Sequence, residues 1–343
     1  MKKKNLVLIL AGIGIVGIVI ILLIYSSLFG LSVRIENRNR IIYIPTGASY
    51  SQVVDTLEKN LIIKNRRILD WFAKKKNYPA LIKPGKYVID KNLSYNKLIN
   101  LLKVGHQTPV RITFNNMRTL NQIAGKFGKH IEADSSQIIK FFSDESNFLS
   151  DGFTKANIVA LFIPDTYEFY WNTDAKGLYV RMLKEYSLFW NDERLARAKK
   201  MGLDPKEVAI LASIIDDEVT KHDEKPRIAG VYLNRLKRGI PLQACPTIKF
   251  AINDFTISRV LKKYLLIESP YNTYRHNGFP PGPIGCPSVE GIDAVLNAEQ
   301  HDYLYFAARV DFSGYHNFSR TLAEHNRYAA VYQKELNRRK IFK

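Results

Sequence analysis

Three consecutive carboxylates, Asp216, Asp217 and Glu218, close a run with helical periodicity, and they are the residues of this chain best suited to acid–base chemistry. A carboxyl group can give a proton to a leaving oxygen and later take one from a hydroxyl if its pKa lies near the working pH. An apolar setting raises a carboxyl towards that range. On an α-helix, residues two apart are separated by about 200° and neighbours by about 100°. Asp216 and Glu218 therefore face different sides, and Asp217 reaches only the rim of any cleft that Glu218 enters. The spacing favours a single helix-borne catalytic carboxylate, with Asp165 or Glu168 still able to arrive from elsewhere in the fold. A solvated helix end or a structural ion-pair network is the other reading. Negative charge at a helix C-terminus opposes the macrodipole, and that cost points to use.

The positioning helix starts at Asp204, a good N-cap, with Pro205 at the first helical position and Glu207 three residues after the cap. Leu211, Ile214 and Ile215 mark its buried face. A second helix begins near Pro226, carries the apolar stripe Ile228, Val231, Tyr232 and Leu236, and stops at Gly239, a natural C′ residue. Asn234 and Arg235 on it can bond a substrate or Glu218; for Arg235 the alternative is a salt bridge to Asp216 or Asp217. Stiff Pro/Gly-containing loops follow at 241–247, 269–274 and 278–284. Such loops make cleft walls, so Gln243, Thr247, Tyr271, Asn272 and Tyr274 read as substrate contacts, with loop stiffening the alternative for the first four. Upstream, the aromatic run 161–171 surrounds Asp165, Tyr167 and Glu168 and suits a sugar, because pyranose faces stack on aromatic rings; an aromatic-rich core strand is the alternative. His316 and His325 lie nine apart with no acidic ligand pattern between them, so no metal and no cofactor are expected. His316 reads instead as a hydrogen-bonding histidine of the core or cleft.

The 343 residues hold 51 Lys and Arg against 32 Asp and Glu, a net charge of +19. That excess favours an anionic partner or surface, and no nucleic-acid-binding motif is present, so no nucleic acid is expected. Lys2, Lys3 and Lys4 precede an uncharged apolar run at 6–24. Nineteen residues at 1.5 Å each come close to the ~30 Å hydrocarbon layer. The run predicts a retained single-pass anchor with the lysines cytoplasmic and the remainder outside. Next comes a strand at 41–44, a helix opened by the Ser49–Gln52 capping pattern, a helix at 65–75, a strand at 86–89, a helix at 94–104 and an alternating strand through Val110, Ile112 and Phe114. Its strand–helix–helix–strand order resembles a LysM-like module, a fold that often binds wall glycan; a spacer is the plainer reading. The expected fold class is α+β: cytoplasmic tip and anchor at 1–30, LysM-like module at 31–115, and a larger mixed α+β domain at 116–343.

Several motifs together resemble the YceG-like endolytic murein transglycosylases. They are Ala212-Ser213-Ile214-Ile215-Asp216-Asp217-Glu218, Ile163-Pro164-Asp165-Thr166, Val231-Tyr232-Leu233-Asn234-Arg235-Leu236, Leu242-Gln243 with Pro246-Thr247, Tyr271-Asn272-Thr273-Tyr274, Pro280-Pro281-Gly282, His316-x-Phe318 and His325-Asn326. The resemblance spans essentially the full length and implies Glu218 as the catalytic acid. A hydrolytic glycosidase uses two carboxylates. A lytic transglycosylase uses the sugar's own 6-hydroxyl as nucleophile, so one carboxyl group serves in turn as acid and base. The implied reaction is internal cleavage of the MurNAc–GlcNAc bond of peptidoglycan glycan strands to 1,6-anhydroMurNAc ends, near the inner membrane and on its periplasmic side. The family suggests termination of nascent strands, in company with cell-wall synthases or division proteins. Two departures stand out. Asp216 is one methylene shorter than the family's glutamate, and Cys245 stands where the family usually has Asp before Pro-Thr. A disulfide between Cys245 and Cys286 is the expected substitute for that Asp. The rival expectation is an inactive, membrane-anchored peptidoglycan-binding scaffold.

Overall fold

The computed structural model describes residues 2–30, 32–35, 40–89, 91–257 and 260–339. The chain divides into two units: Met1–Arg111 with His130–Ala133 and Glu168–Thr173, and Ile112–Lys129 with Asp134–Tyr167 and Asp174–Lys343.

The first unit opens with helix α1 (Lys2–Phe29). Among the described residues no helix is long and apolar enough to cross a membrane. Of the 6–24 run, side chains are described for 11–20 together with Leu8 and Leu22, and a span needs about 20 consecutive residues. There follow β1 (Val33–Arg34), β2 (Arg40–Ile44), α2 (Tyr50–Asn60), β3 (Ile62–Ile63), α3 (Arg66–Lys75), β4 (Gly85–Ile89), α4 (Tyr95–Val104) and the start of β5 (Val110–Phe114). Strand β2 pairs antiparallel with β4, Ile42 opposite Tyr87, and β1 pairs with β3. The helices begin where local chemistry starts them. Ser49 and Gln52 form a reciprocal capping box, and Asn65 and Ser94 accept from the backbone amides of the first turns. Alternate strand residues, Ile42, Ile44, Tyr87 and Ile89, meet Val53, Leu57, Leu69, Phe72, Leu98 and Leu102 in one core. The element order is the one the periodicity predicts, with the two-residue strands β1 and β3 added.

The second unit holds α5 (Leu120–Phe127), α6 (Ser135–Ser143), the start of β6 (Asp165–Phe169), α7 (Ala175–Phe189), α8 (Asp192–Lys200), α9 (Pro205–Glu218), α10 (Lys225–Lys237), α11 (Cys245–Ile252), α12 (Val289–Leu296), the β7–β8 hairpin (Tyr305–Ala308 and His316–Ser319) and α13 (Leu322–Arg338). Helix α9 is its axis: every residue from Val208 to Ile215 is buried. It starts as predicted, with the Asp204 carboxylate accepting the amides of Lys206 and Glu207 and the Glu207 side chain accepting the Asp204 amide. Ile228, Tyr232, Ile248, Ile292 and Val295 bring α10, α11 and α12 around it. Helix α10 ends at Gly239, whose φ of 64° is the left-handed conformation a C′ glycine supplies.

One of the segments read as loops, 241–247, runs into a helix. Cys245 opens α11, with Pro246 in its first turn and Asn253 (φ 57°) closing it, and α12 follows the 278–284 loop. Pro suits a helix start as well as a turn, and α11 has no side-chain N-cap to announce it. The 278–284 loop approaches the chain closely. A Cβ placed on Gly282 would lie 1.8 Å from the Ala156 carbonyl oxygen, which also accepts the Tyr271 hydroxyl at 3.4 Å. Gly282→Ala is expected to force these segments apart and cost about 1–3 kcal/mol, read as a lowered thermal midpoint against the parent protein.

Candidate active site

The three carboxylates at the end of α9 have three different surroundings. The Asp216 side chain is buried and fully engaged. Its Oδ1 accepts the Lys225 ammonium at 2.8 Å and the Ser288 hydroxyl at 2.8 Å, and its Oδ2 accepts the Ser288 amide at 2.6 Å. Ser288 is the N-cap of α12 and accepts the Gly291 amide at 2.8 Å. A Cβ on Gly291 would come within 2.6 Å of Asp216 Oδ1, so this join needs a glycine. Asp216 thereby ties α9 to α10 and α12. Breaking a buried pair of this kind by removing one partner costs about 3–5 kcal/mol. Asp217 lies nearer the surface and receives both terminal nitrogens of Arg118, whose guanidinium lies over the Phe255 ring at 4.4 Å.

Glu218 is half-buried and has no ion pair, and its enclosed Oε2 has no hydrogen-bond partner among the described residues. Burial pushes its carboxyl up to about 7, the Lys249 charge opposing that rise and the Asp217 charge adding to it. Three weak acids share its electrostatic surroundings: Tyr232 from α10, Cys245 from α11 and Tyr274 from the 271–274 turn. All stay neutral. Burial raises the Cys245 thiol to about 11, with the Glu218 charge adding to it, and carries the Tyr232 and Tyr274 phenols well above their ordinary range. The Cys245 sulfur and the Tyr274 hydroxyl are 3.2 Å apart. An enclosed carboxyl that is half-protonated near pH 7 can deliver a proton and take one back.

Most of the residues expected to touch a ligand make hydrogen bonds or ring contacts that hold the frame. Arg235 is buried and donates to the carbonyls of Pro241 (2.8 Å) and Leu304 (2.9 Å) and to Gln243 Oε1 (2.5 Å), so it pairs with neither Asp216 nor Asp217. Asn234 donates to the carbonyls of His301 (2.6 Å) and Tyr303 (3.1 Å). Thr247 is fully buried between Ala244 and Thr273, and Asn272, also fully buried, donates to the carbonyls of Leu265 and Ile267. Tyr167 is a core residue: its hydroxyl donates to Ile163 at 2.7 Å and its ring stacks on Phe114. Glu224 accepts both the His316 amide and its Nδ1, joining the segment before α10 to the β7–β8 hairpin. Asp165 is exposed and accepts its neighbour's amide. Gln243 is exposed with φ 53°, and Tyr271 packs on Phe250 at 4.7 Å. Of the expected contacts, Tyr274 is the one brought to Glu218.

The disulfide is a further correction: Cys245 and Cys286 are both free thiols. Cys245 faces Glu218 and Tyr274, whereas Cys286 lines a small cleft with Asn116, Met117, Arg118, Ser213, Asp216, Asp217, Ile284 and Gly285. Residues 213, 216 and 217 share one helix face, and Glu218 projects about 100° beyond the last of them. The two sulfurs thus belong to different sides of α9. Sequence reasoning missed Arg118 and Lys249, and took Tyr232 for core alone. The signal for Lys249 was its i, i+4 spacing from Cys245, visible once 245–252 is known to be helical. Among the described residues no group of three or more His, Cys, Asp or Glu is placed to hold a metal ion.

The model of the YceG-like family matches residues 42–331. The endolytic murein transglycosylase of Bacillus subtilis (strain 168) is 30% identical over 307 residues, covering 85% of this chain and 84% of that protein. The endolytic murein transglycosylase of Streptococcus pneumoniae (strain ATCC BAA-255 / R6) is 30% identical over 301 residues, covering 78% of this chain and 54% of that protein. A 2.6 Å crystal structure of a YceG-like protein from Listeria monocytogenes superposes with a TM-score of 0.56 at 28% identity, covering 84% of this chain and 98% of that one.

The raised Glu218 carboxyl has a consequence for stability. The folded state holds this proton more tightly than the unfolded chain, so the contribution of Glu218 to stability is complete below the ordinary value of 4.5 and is lost as pH rises through about 7. Glu218→Gln removes that decline. Its thermal midpoint is expected to match the parent protein's at pH 4 and to exceed it at pH 8.

Proposed function

The chain belongs to the YceG-like family, and from that premise we propose that it is an endolytic peptidoglycan lytic transglycosylase. It cleaves the MurNAc–GlcNAc bond within glycan strands and leaves 1,6-anhydroMurNAc ends. The observation that carries the reading is the enclosed carboxyl of Glu218, whose Oε2 has no hydrogen-bond partner among the described residues and whose pKa burial raises to about 7. In its protonated form Glu218 gives the proton to the bridging glycosidic oxygen as that bond breaks. The resulting carboxylate then takes the proton of the sugar's 6-hydroxyl, whose oxygen closes on the anomeric carbon. No water is consumed, and Glu218 regains its starting form. The other two carboxylates are bound to Lys225 with Ser288 and to Arg118, which supports a mechanism with one acid rather than two. Asn234, Arg235, Thr247 and Asn272 serve by holding the walls; Tyr274 and Tyr232 are the aromatic groups presented beside the acid.

In the same reading α1 anchors the chain, with Lys2, Lys3 and Lys4 on the cytoplasmic side and the second unit on the periplasmic side of the inner membrane, while the LysM-like module at 31–115 contributes glycan binding. The charge of +19 suits an anionic wall and membrane surface. Synthases or division proteins acting on nascent strands are the protein partners this placement favours.

Product analysis tests the assignment. Full-length protein in detergent, incubated with purified murein, is expected to release anhydro-muropeptides. Activity should fall as pH rises above about 7, where the Glu218 proton is lost, and Glu218→Gln should reduce the products to background. Reducing ends without the anhydro ring would mean a hydrolase, and binding without products would mean a scaffold.

A further inference from the structure

Helix α11 presents two side chains to Glu218, one turn apart: Cys245 and Lys249. The helix is held on its other faces. Thr247 is clamped to Ala244 and Thr273, Ile248 is in the core, and Phe250 packs on Tyr271. The Lys249 carbonyl accepts the amides of Asn253 and Asp254, which fixes the C-terminal turn. Residues i and i+4 share a helix face, so a helix anchored in this way aims Lys249 where it aims Cys245.

The charged groups near Glu218 are otherwise committed. On α9, Asp217 is bound by Arg118 and Asp216 by Lys225. From α10, Arg235 is bound to two carbonyls and Gln243, and Tyr232 stays neutral. From the 271–274 turn, Tyr274 stays neutral, as does Cys245 on α11 itself. Lys249 differs. The half-buried residue makes no side-chain hydrogen bond and no ion pair among the described residues, and its charge acts on the Glu218 carboxyl and, as the least of the causes there, on the Cys245 thiol.

We propose, building on the transglycosylase reading, that Lys249 is a positioning residue for the reaction, its uncommitted ammonium supplying the positive charge that faces the Glu218 carboxylate after the proton has left. The need for it is physical. Proton donation creates a carboxylate in an enclosed place where no hydrogen bond awaits Oε2, and an unpaired buried anion is costly. A cation carried on the facing side of α11 lowers that cost without taking the proton. It also favours proton release in the first half of the reaction. A bound pair would hold Glu218 as a permanent anion; an unbonded ammonium leaves the carboxyl free to cycle.

The experiment compares Lys249→Met and Lys249→Arg in the full-length protein. Two readouts are followed with pH: the Glu218 carboxyl resonance in protein carrying ¹³C-labelled glutamate, assigned with Glu218→Gln, and the rate of anhydro-end formation from purified murein. Removing a nearby cation disfavours the ionised form, so in Lys249→Met the Glu218 midpoint should rise by about one unit. The alkaline limb of the rate profile should move up with it, and kcat below that limb should fall several-fold with KM unchanged. Lys249→Arg should restore both. A Lys249→Met protein with an unmoved midpoint and limb overturns the proposal, as does an Arg variant displaced as far as the Met variant. Parent protein that forms no anhydro ends, while the midpoint still shifts in Lys249→Met, would overturn the assigned reaction and leave the coupling of the two charges standing.

Discussion

Three adjacent carboxylates at the end of a buried helix cannot all be left in the same state, and the second unit is built around how that conflict is resolved. Like charges one residue apart repel, and the helix dipole adds to the penalty. Because successive residues turn by about 100°, each carboxylate meets a different neighbour. Asp216 finds a lysine and the N-cap of α12, Asp217 finds an arginine, and Glu218 finds two phenols, a thiol and an unbonded lysine. Pairing two of them leaves a single proton-active group. The pairs also fasten α9 to α10, to α12 and to the segment carrying Arg118, so the charge solution and the packing solution are the same set of contacts.

The departures at Asp216 and Cys245 look different in that light. The shorter Asp216 reaches Lys225 and both donors of Ser288, and it fits against Gly291 where extra bulk has no room. Its contacts join three helices. Cys245 places a neutral thiol where an aspartate would set a second negative charge beside the acid. A second anion would raise the Glu218 carboxyl further. With a thiol at 245 and an ammonium at 249, the face of α11 is net positive towards the site.

Much of the motif content builds walls. Arg235 gathers the 241–243 segment and the start of the β7–β8 hairpin, Asn272 closes its own turn, and Thr247 and Thr273 lock α11 to that turn. A buried polar side chain must find partners or lose the cost of its desolvation, and in connecting segments those partners are backbone carbonyls that no strand or helix has satisfied. Asn and Arg, with several donors each, suit that task as well as they suit sugar recognition, which is why residue type alone does not separate the two uses.

Sequence by itself determined the elements whose causes are local. The Asp204–Glu207 capping box, the Ser49–Gln52 box, the apolar stripes of α9 and α10, the alternation of β5 and the glycine stop at 239 all follow from contacts within a few residues, and all are present. The separation of Glu218 from Asp216 was equally legible, since it needs only the helical turn. Tertiary structure alone decided which carboxylate stays unpaired, because the partners lie far along the chain: Arg118 is 99 residues from Asp217 and Ser288 is 72 from Asp216. It also decided that Cys245 opens a helix, that the two thiols sit on different sides of α9, and that Lys249 faces the acid. Each of these depends on where distant segments dock, and burial, which sets both pairing and pKa, is a property of that docking and of no short stretch of residues.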